Sequence, residues 1–358
     1  MQFNKPAVER PVHGSINPGE LSALGLDPEK FIDFSANINP LGVSPQVKKA
    51  MSGLELDHYP DPDCQELRQA LSQTVGMARE NIVIGNGSTE LIHLLSRACL
   101  ANGSCALILA PTFGEYETAC HLADVTPVFV WAEEADGFKW DIDDTCRRLT
   151  EIKPQLVFLC NPNNPTGLYL NKKIVQQIAK ATAPGTLVID EAYLPFIEKP
   201  WDSKPLLELG NVVLLRSMTK DHALAGLRLG YALAPVQLIE ALKLYQPFWS
   251  VNTAAQAAGL VALTDREHVT RARIIIAESK VYLYAALEDM GIDTLPSSTN
   301  FLLAEVGDAR TIRSRLLQHN LCVRDCTSFG LPQYIRLTVR TLSDCHNLVK
   351  GLKEVWSG

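Results

Sequence analysis

The chain has 358 residues, 46% of them hydrophobic and 20% charged, with a formal net charge of −7. That length suits two domains or one large one, at roughly 150 residues per domain, and the composition excludes a disordered or fibrous chain. The acidic balance leaves no global basic field for a nucleic-acid backbone, so an anionic ligand has to be held by a local cluster of cations.

In chain order, M-Q-F-N-K-P-A-V-E-R has no apolar stretch of the kind a leader needs. The first forty residues are rich in Pro, Gly and Asn and end in D-F-S-A-N-I-N-P-L-G, which reads as an irregular arm over 1–45. From 46 to 248 short apolar runs alternate with helical stretches: N-I-V-I-G, C-A-L-I-L-A, T-P-V-F-V, Q-L-V-F-L-C, T-L-V-I-D and N-V-V-L-L. Runs of that length between helices predict βαβ units and a mainly parallel sheet buried on both faces. From 249 to 358 the pattern becomes long helices over 253–290. N-F-L-L-A-E-V, C-V-R-D-C and Y-I-R-L-T-V then predict a few strands, and a helix closes the chain, so a smaller α+β domain is expected. No apolar run reaches the ~18 residues of a membrane span. The nine cysteines form no C-x-x-C pair, which argues against a zinc site or a disulfide framework. A soluble, cytoplasmic protein with no membrane or nucleic-acid partner and no metal is expected.

In open parallel sheets the ligand crevice lies outside the carboxyl ends of the strands. Three of the predicted strand ends run into N-P-N-N-P-T-G (161–167), into Asp190 of D-E-A-Y, and into S-M-T-K with Lys220. A fourth, I-V-I-G, runs into N-G-S-T-E. There Gly85 and Gly87 allow a tight turn, and Ser88 or Thr89 opens a helix whose N-terminus suits an anion. Taken singly, a lysine at a strand end reads as a solvated surface group, and a Gly-rich turn as an ordinary helix cap. Together they offer an amine, a carboxylate, an amide and a phosphate cradle. Pyridoxal phosphate needs that set: a lysine for its Schiff base, a carboxylate against its ring nitrogen, and donors for its phosphate. Arg228 adds a fork of donors.

These motifs occur in order: N-P-N-N-P-T-G, D-E-A-Y and S-x-T-K-x-x-A-L-A-G-L-R-L-G-Y. They resemble the fold-type I pyridoxal-phosphate enzymes of the aspartate aminotransferase superfamily. The resemblance implies a three-layer α/β large domain with a smaller α+β C-terminal domain. It implies that Lys220 carries the cofactor, that Asp190 pairs with the ring nitrogen, and that Asn164 and Tyr193 bond its phenolic oxygen. Ser217, Thr219, Arg228, Gly87 and Ser88 would hold the phosphate, and Phe113 would stack on the ring, although Phe113 also reads as a core aromatic. Tyr59, in H-Y-P-D-P-D, resembles a tyrosine that reaches the neighbouring subunit's cofactor, which implies a homodimer with shared sites.

Within the superfamily two relatives that act on phosphorylated amines compete. His13-Gly14, D-F-S-A-N-I-N-P-L-G with Asn37, and V-R-D-C-T-S-F-G-L-P-Q-Y-I-R-L-T-V-R resemble threonine-phosphate decarboxylase of cobalamin biosynthesis. Ser15 departs from that relative's H-G-G. Arg340 weighs most, since histidinol-phosphate aminotransferase usually has a small residue there. Arg336 and Arg324 would clamp substrate anions, with His13 and Asn37 completing the pocket. The expectation is therefore a lyase that decarboxylates threonine O-phosphate to aminopropanol phosphate, with serine O-phosphate as the other candidate substrate. Histidinol-phosphate aminotransferase is the alternative. Two readings from other classes are weaker. Ser217-x-x-Lys220 as an acyl-transfer motif lacks S-D-N and K-T-G partners. A non-catalytic pyridoxal-phosphate-binding regulator would carry a DNA-binding unit, for which ~45 arm residues leave little room.

Overall fold

The computed structural model describes residues 11–356. The opening ten residues, where no leader is read, lie outside the described residues. Twelve strands are present among those described: β1 (Ile32–Asp33), β2 (Ile82–Asn86), β3 (Ala106–Ala110), β4 (Val128–Trp131), β5 (Leu156–Cys160), β6 (Thr186–Asp190), β7 (Val212–Ser217), β8 (Leu229–Leu233), β9 (Phe301–Glu305), β10 (Leu321–Cys322), β11 (Arg324–Asp325) and β12 (Tyr334–Thr338).

Seven of them form one sheet in the order β2-β8-β7-β6-β5-β3-β4. The run β7-β6-β5-β3-β4 is parallel, and β8 is antiparallel to both β7 and β2. Every residue of β3 and β5 is buried. Because side chains alternate along a strand, Leu107, Leu109, Val157 and Leu159 join one apolar core, and Ile108, Leu156 and Phe158 join another. Helices cover both faces, so the strands read as unbroken apolar runs rather than as alternating ones.

Strand β8 is an addition to the expected runs. It begins in the last three residues of A-L-A-G-L-R-L-G-Y and runs on to Leu233, and Gly230 is what lets it pass: a Cβ there would stand 2.6 Å from Ser88 N. C-V-R-D-C, expected as one strand, is split. β10 pairs with β1 of the arm, and β11 joins β12 and β9 in a three-stranded antiparallel sheet. A third apolar core lies between that sheet and the helices Arg266–Glu288 and Leu342–Val355.

The arm is pinned rather than loose. Phe34 N donates to Cys322 O at 2.7 Å, and Thr338 N donates to Phe34 O at 2.8 Å. These bonds lay Ser35–Asn37 alongside β12, next to Arg336. No described helix is long and apolar enough to cross a membrane.

Candidate active site

The carboxyl ends of β5, β6 and β7 open into a cavity of about 780 Å³. Asn164, Asp190, Tyr193, Thr219, Lys220, Arg228, Arg324 and Arg336 all line it, with Ser88, Phe113, His13 and Asn37. The parallel topology brings together groups that lie far apart in the chain.

Asp190, the last residue of β6, is buried. Its Oδ1 accepts from Ala192 N at 3.0 Å and its Oδ2 from the Tyr116 hydroxyl at 2.8 Å. Burial pushes its carboxyl up to about 6, against the pull of those two donors and of Lys220. Burial lowers the Lys220 amine to about 8, and the Arg336 and Arg228 guanidiniums push the same way. The cavity therefore holds an amine much nearer neutrality than an exposed lysine.

Tyr193 is buried, and its hydroxyl accepts from Asn37 Nδ2 at 3.2 Å; Asn37 Oδ1 in turn accepts from Thr338 Oγ1 at 2.8 Å. Burial raises this phenol to about 12, so it stays protonated at neutral pH. Asn164 precedes a cis peptide to Pro165, and its Oδ1 accepts from Arg336 Nη1. Arg336 Nη2 donates to Ser35 O at 2.7 Å, while its buried Nε has no protein partner among the described residues. Arg324, also buried, donates to Val12 O at 2.6 Å and to Ser328 Oγ. Burial, with the Arg336 charge beside it, lowers Arg324 to about 10.

At the opposite end the helix Gly87–Cys99 points its N-terminus at the cavity. Gly87 has φ +79°, and a Cβ on it would stand 2.9 Å from Arg228 Nη2. The guanidinium thus lies directly over bare backbone. Thr219 Oγ1 and Ser217 Oγ are 2.7 Å apart, but only Thr219 reaches the lining.

Gly87 and Ser217 adjoin the lining residues Ser88 and Thr219 without lining the cavity themselves, and two further predicted residues lie elsewhere. Tyr59 is 79% exposed and stacks on Trp249 at 4.3 Å, outside the cavity. Arg340 does not line it either; its Nε donates to Asp344 Oδ2 at 3.0 Å and its Nη1 to Asp33 O at 3.3 Å.

Sequence reasoning missed Tyr116 and Glu115. Glu115 is held between His13 Nε2 at 2.6 Å and His93 Nε2 at 3.1 Å, and these contacts pull its carboxyl down to about 2. Both residues follow Phe113 in P-T-F-G-E-Y, a stretch the sequence does single out. Their partners lie as many as 102 positions away, with no local signal to mark them.

A family model for aminotransferase class I and II matches residues 29–352. The chain belongs to that family. A histidinol-phosphate aminotransferase of Symbiobacterium thermophilum is 36% identical over 335 residues, covering 92% of this chain and 91% of that one. The structure of a histidinol-phosphate aminotransferase from Sinorhizobium meliloti in complex with pyridoxal-5'-phosphate aligns with TM-score 0.85 at 26% identity, covering 95% of each chain. An L-threonine-O-3-phosphate decarboxylase from Porphyromonas gingivalis aligns with TM-score 0.79 at 26% identity, covering 90% of this chain and 98% of that one.

The family member described here is a pyridoxal-phosphate enzyme of fold type I, and its cavity fits that cofactor. It holds a lysine amine, a buried carboxylate, and a helix N-terminus whose glycine leaves room under Arg228. The decarboxylase expectation is corrected. Curated relatives at 32–36% identity over more than nine-tenths of the chain are named histidinol-phosphate aminotransferase. Arg340, on which the decarboxylase reading leaned most, is engaged with Asp344 and turned away from the cavity.

Proposed function

We propose that this enzyme is an aminotransferase for a phosphorylated amine, histidinol phosphate in the first instance, with 2-oxoglutarate as amino acceptor. The observation that carries the reading is the convergence in one cavity of the Lys220 amine, the Asp190 carboxylate and the two buried guanidiniums Arg324 and Arg336. The names borne by the curated relatives support the choice of reaction.

Pyridoxal phosphate, when bound, supplies an aldehyde that condenses with an amine and a ring that accepts the electron pair released at the substrate's α-carbon. The chain supplies the rest. Lys220 Nζ is held near neutrality, as a base that takes the α-proton requires. Asp190 would hold a proton on the ring nitrogen. Tyr193, protonated and braced by Asn37, and Asn164, braced by Arg336, would bond the ring's phenolic oxygen. Gly87, Ser88, Thr219 and Arg228, with Ser217 behind Thr219, would hold the cofactor's phosphate, and Phe113 would cover one ring face.

An aminotransferase binds two substrates in turn in one site. Arg324 and Arg336 present fixed forks of donors that suit the phosphate of one substrate and the carboxylates of the other. Arg336 is held in place by Asn164 Oδ1 and Ser35 O, which fixes the direction of its guanidinium. His13 and Asn37 lie on the same wall.

A homodimer, a cytoplasmic setting, and a division into an arm (1–45), a large domain (46–248) and a small domain (249–358) belong to the same proposal. Tyr59, Trp249 and Phe248 form a connected aromatic surface, with Tyr59 and Phe248 almost fully exposed. A patch of that kind favours association.

Incubation with histidinol phosphate and 2-oxoglutarate tests the reaction. Glutamate formation that depends on histidinol phosphate supports the reading. Absence of glutamate, with carbon dioxide released from O-phospho-threonine, overturns it.

A further inference from the structure

Tyr116 is a buried hydroxyl that the reaction as described does not use. Its side chain is fully buried at the start of helix Glu115–Leu122, and its hydroxyl donates to Asp190 Oδ2 at 2.8 Å. The ring is locked by two aromatic contacts. It stacks on Phe158 with centroids 4.8 Å apart and planes 6° from parallel, and it meets Phe113 edge-on at 5.7 Å. One residue thus touches both the carboxylate and the ring proposed to lie against the cofactor.

We propose that Tyr116 is a positioning residue that keeps Asp190 ionised, aims its free lone pairs at the ring nitrogen of pyridoxal phosphate, and fixes the tilt of Phe113. This rests on the proposed pairing of Asp190 with that nitrogen.

The physical argument starts from the two forms the pair can take. The proton between Asp190 and the ring nitrogen can sit on the nitrogen, giving an ion pair, or on the carboxylate, giving a neutral pair. Burial favours the neutral pair; Asp190 is raised to about 6 for that reason. A hydroxyl donor on the remote oxygen bonds more strongly to a carboxylate than to a carboxylic acid, so it shifts the balance toward the ion pair. The other groups acting on Asp190 divide: the Ala192 N–H and the Lys220 charge favour the anion, and Glu191 opposes it. Tyr116 ranks first among those favouring the anion. Burial also holds its own phenol well above the usual range, so at working pH it keeps the proton that it donates to Asp190. Packing against Phe158 and Phe113 holds the ring where its hydroxyl meets Asp190.

The test is Tyr116→Phe, which keeps the ring and its packing and removes one oxygen, compared with Asp190→Asn. Both are loaded with pyridoxal phosphate labelled with nitrogen-15 in the ring. The ring-nitrogen chemical shift reports where the proton sits, independently of turnover. In the wild type it is expected at the protonated position, and in Tyr116→Phe displaced toward the neutral one. A fall in kcat of about 10- to 100-fold accompanies it, ~1.4–2.7 kcal/mol at 1.36 kcal/mol per decade. KM should stay within about threefold, because the Tyr116 hydroxyl bonds Asp190 and neither Arg324 nor Arg336. An unmoved shift in Tyr116→Phe, with a moved one in Asp190→Asn, overturns the role of Tyr116. An unmoved shift in both overturns the Asp190 pairing instead. A tenfold loss of kcat with an unmoved shift makes Tyr116 a packing residue only and counts against the proposal.

Discussion

Replacing Gly87 with alanine separates the cofactor cradle from the fold. Gly87 has φ +79°, where an L-residue costs roughly 1–2 kcal/mol, so the variant should melt a few degrees lower. The added Cβ also meets Arg228 Nη2 at 2.9 Å. That guanidinium is the far end of a flexible, exposed side chain, so it can yield without breaking the core. Yielding moves it off the position from which it would hold phosphate. A hydrogen bond to a charged group is worth ~1.5–3 kcal/mol, which predicts a roughly 10- to 100-fold rise in the dissociation constant for pyridoxal phosphate. Gly137→Ala is the matched control: φ is +62° there and a Cβ would meet nothing within 4 Å. It should lose similar stability and no cofactor affinity. Fluorescence titration of the two apo-proteins, with thermal melts alongside, reads both quantities. Equal cofactor affinity in the two variants would refute the cradle at the start of helix Gly87–Cys99.

Three further outcomes are expected. Because the Lys220 amine titrates near about 8 rather than the usual ~10.4, its neutral fraction grows about tenfold per pH unit below 8 and levels off above. The rate at which apo-protein attaches pyridoxal phosphate, followed by absorbance, should trace that curve, and a rise continuing past pH 10 would contradict it. Arg340→Gln should leave kcat/KM within about threefold, since an i,i+4 ion pair with Asp344 contributes little; a hundredfold loss would return Arg340 to the substrate. Glu115 has its carboxyl lowered to about 2 by His13 and His93, against ~4.3 in an unfolded chain. A depressed carboxyl stabilises the fold above the unfolded value and loses that effect as pH falls toward 2. The stability gap between wild type and Glu115→Gln, measured by denaturant titration, should therefore shrink from pH 5 downward; a gap constant to pH 2 would show that the two imidazoles do not hold it.

The large sheet was legible because its inner strands are buried on both faces. N-I-V-I-G, C-A-L-I-L-A and Q-L-V-F-L-C needed no partner to be recognised as strands. β8 was not, because its first residues fall in the motif read for Lys220 and Arg228 rather than for strand pattern. C-V-R-D-C looked like one strand, yet β10 is drawn to the arm and β11 to β12, a choice set by packing between distant segments. The groups at strand ends were legible for a related reason: a parallel sheet sends every carboxyl end to one rim, so N-P-N-N-P-T-G, Asp190 and Lys220 could be placed together from spacing, whereas the choice of Asn164 within that segment came from the family resemblance. Tyr116 and Glu115 could not, since their meaning lies in Asp190, His13 and His93, which no periodicity connects to them. Arg340 carried the decarboxylase reading, yet a matching residue type in a matching segment says nothing of which way the side chain turns; Asp344, four residues on, accepts from it.

The most direct measurement is peptide mapping after borohydride reduction of the protein loaded with pyridoxal phosphate. Lys280 is the internal rival: its amine is also lowered to about 8, but it donates to the Ser297 and Thr299 carbonyls and does not line the cavity. The reduced cofactor is predicted on the peptide carrying Lys220. Its recovery on Lys280 or any other lysine, with Lys220 unmodified, would contradict the proposed site.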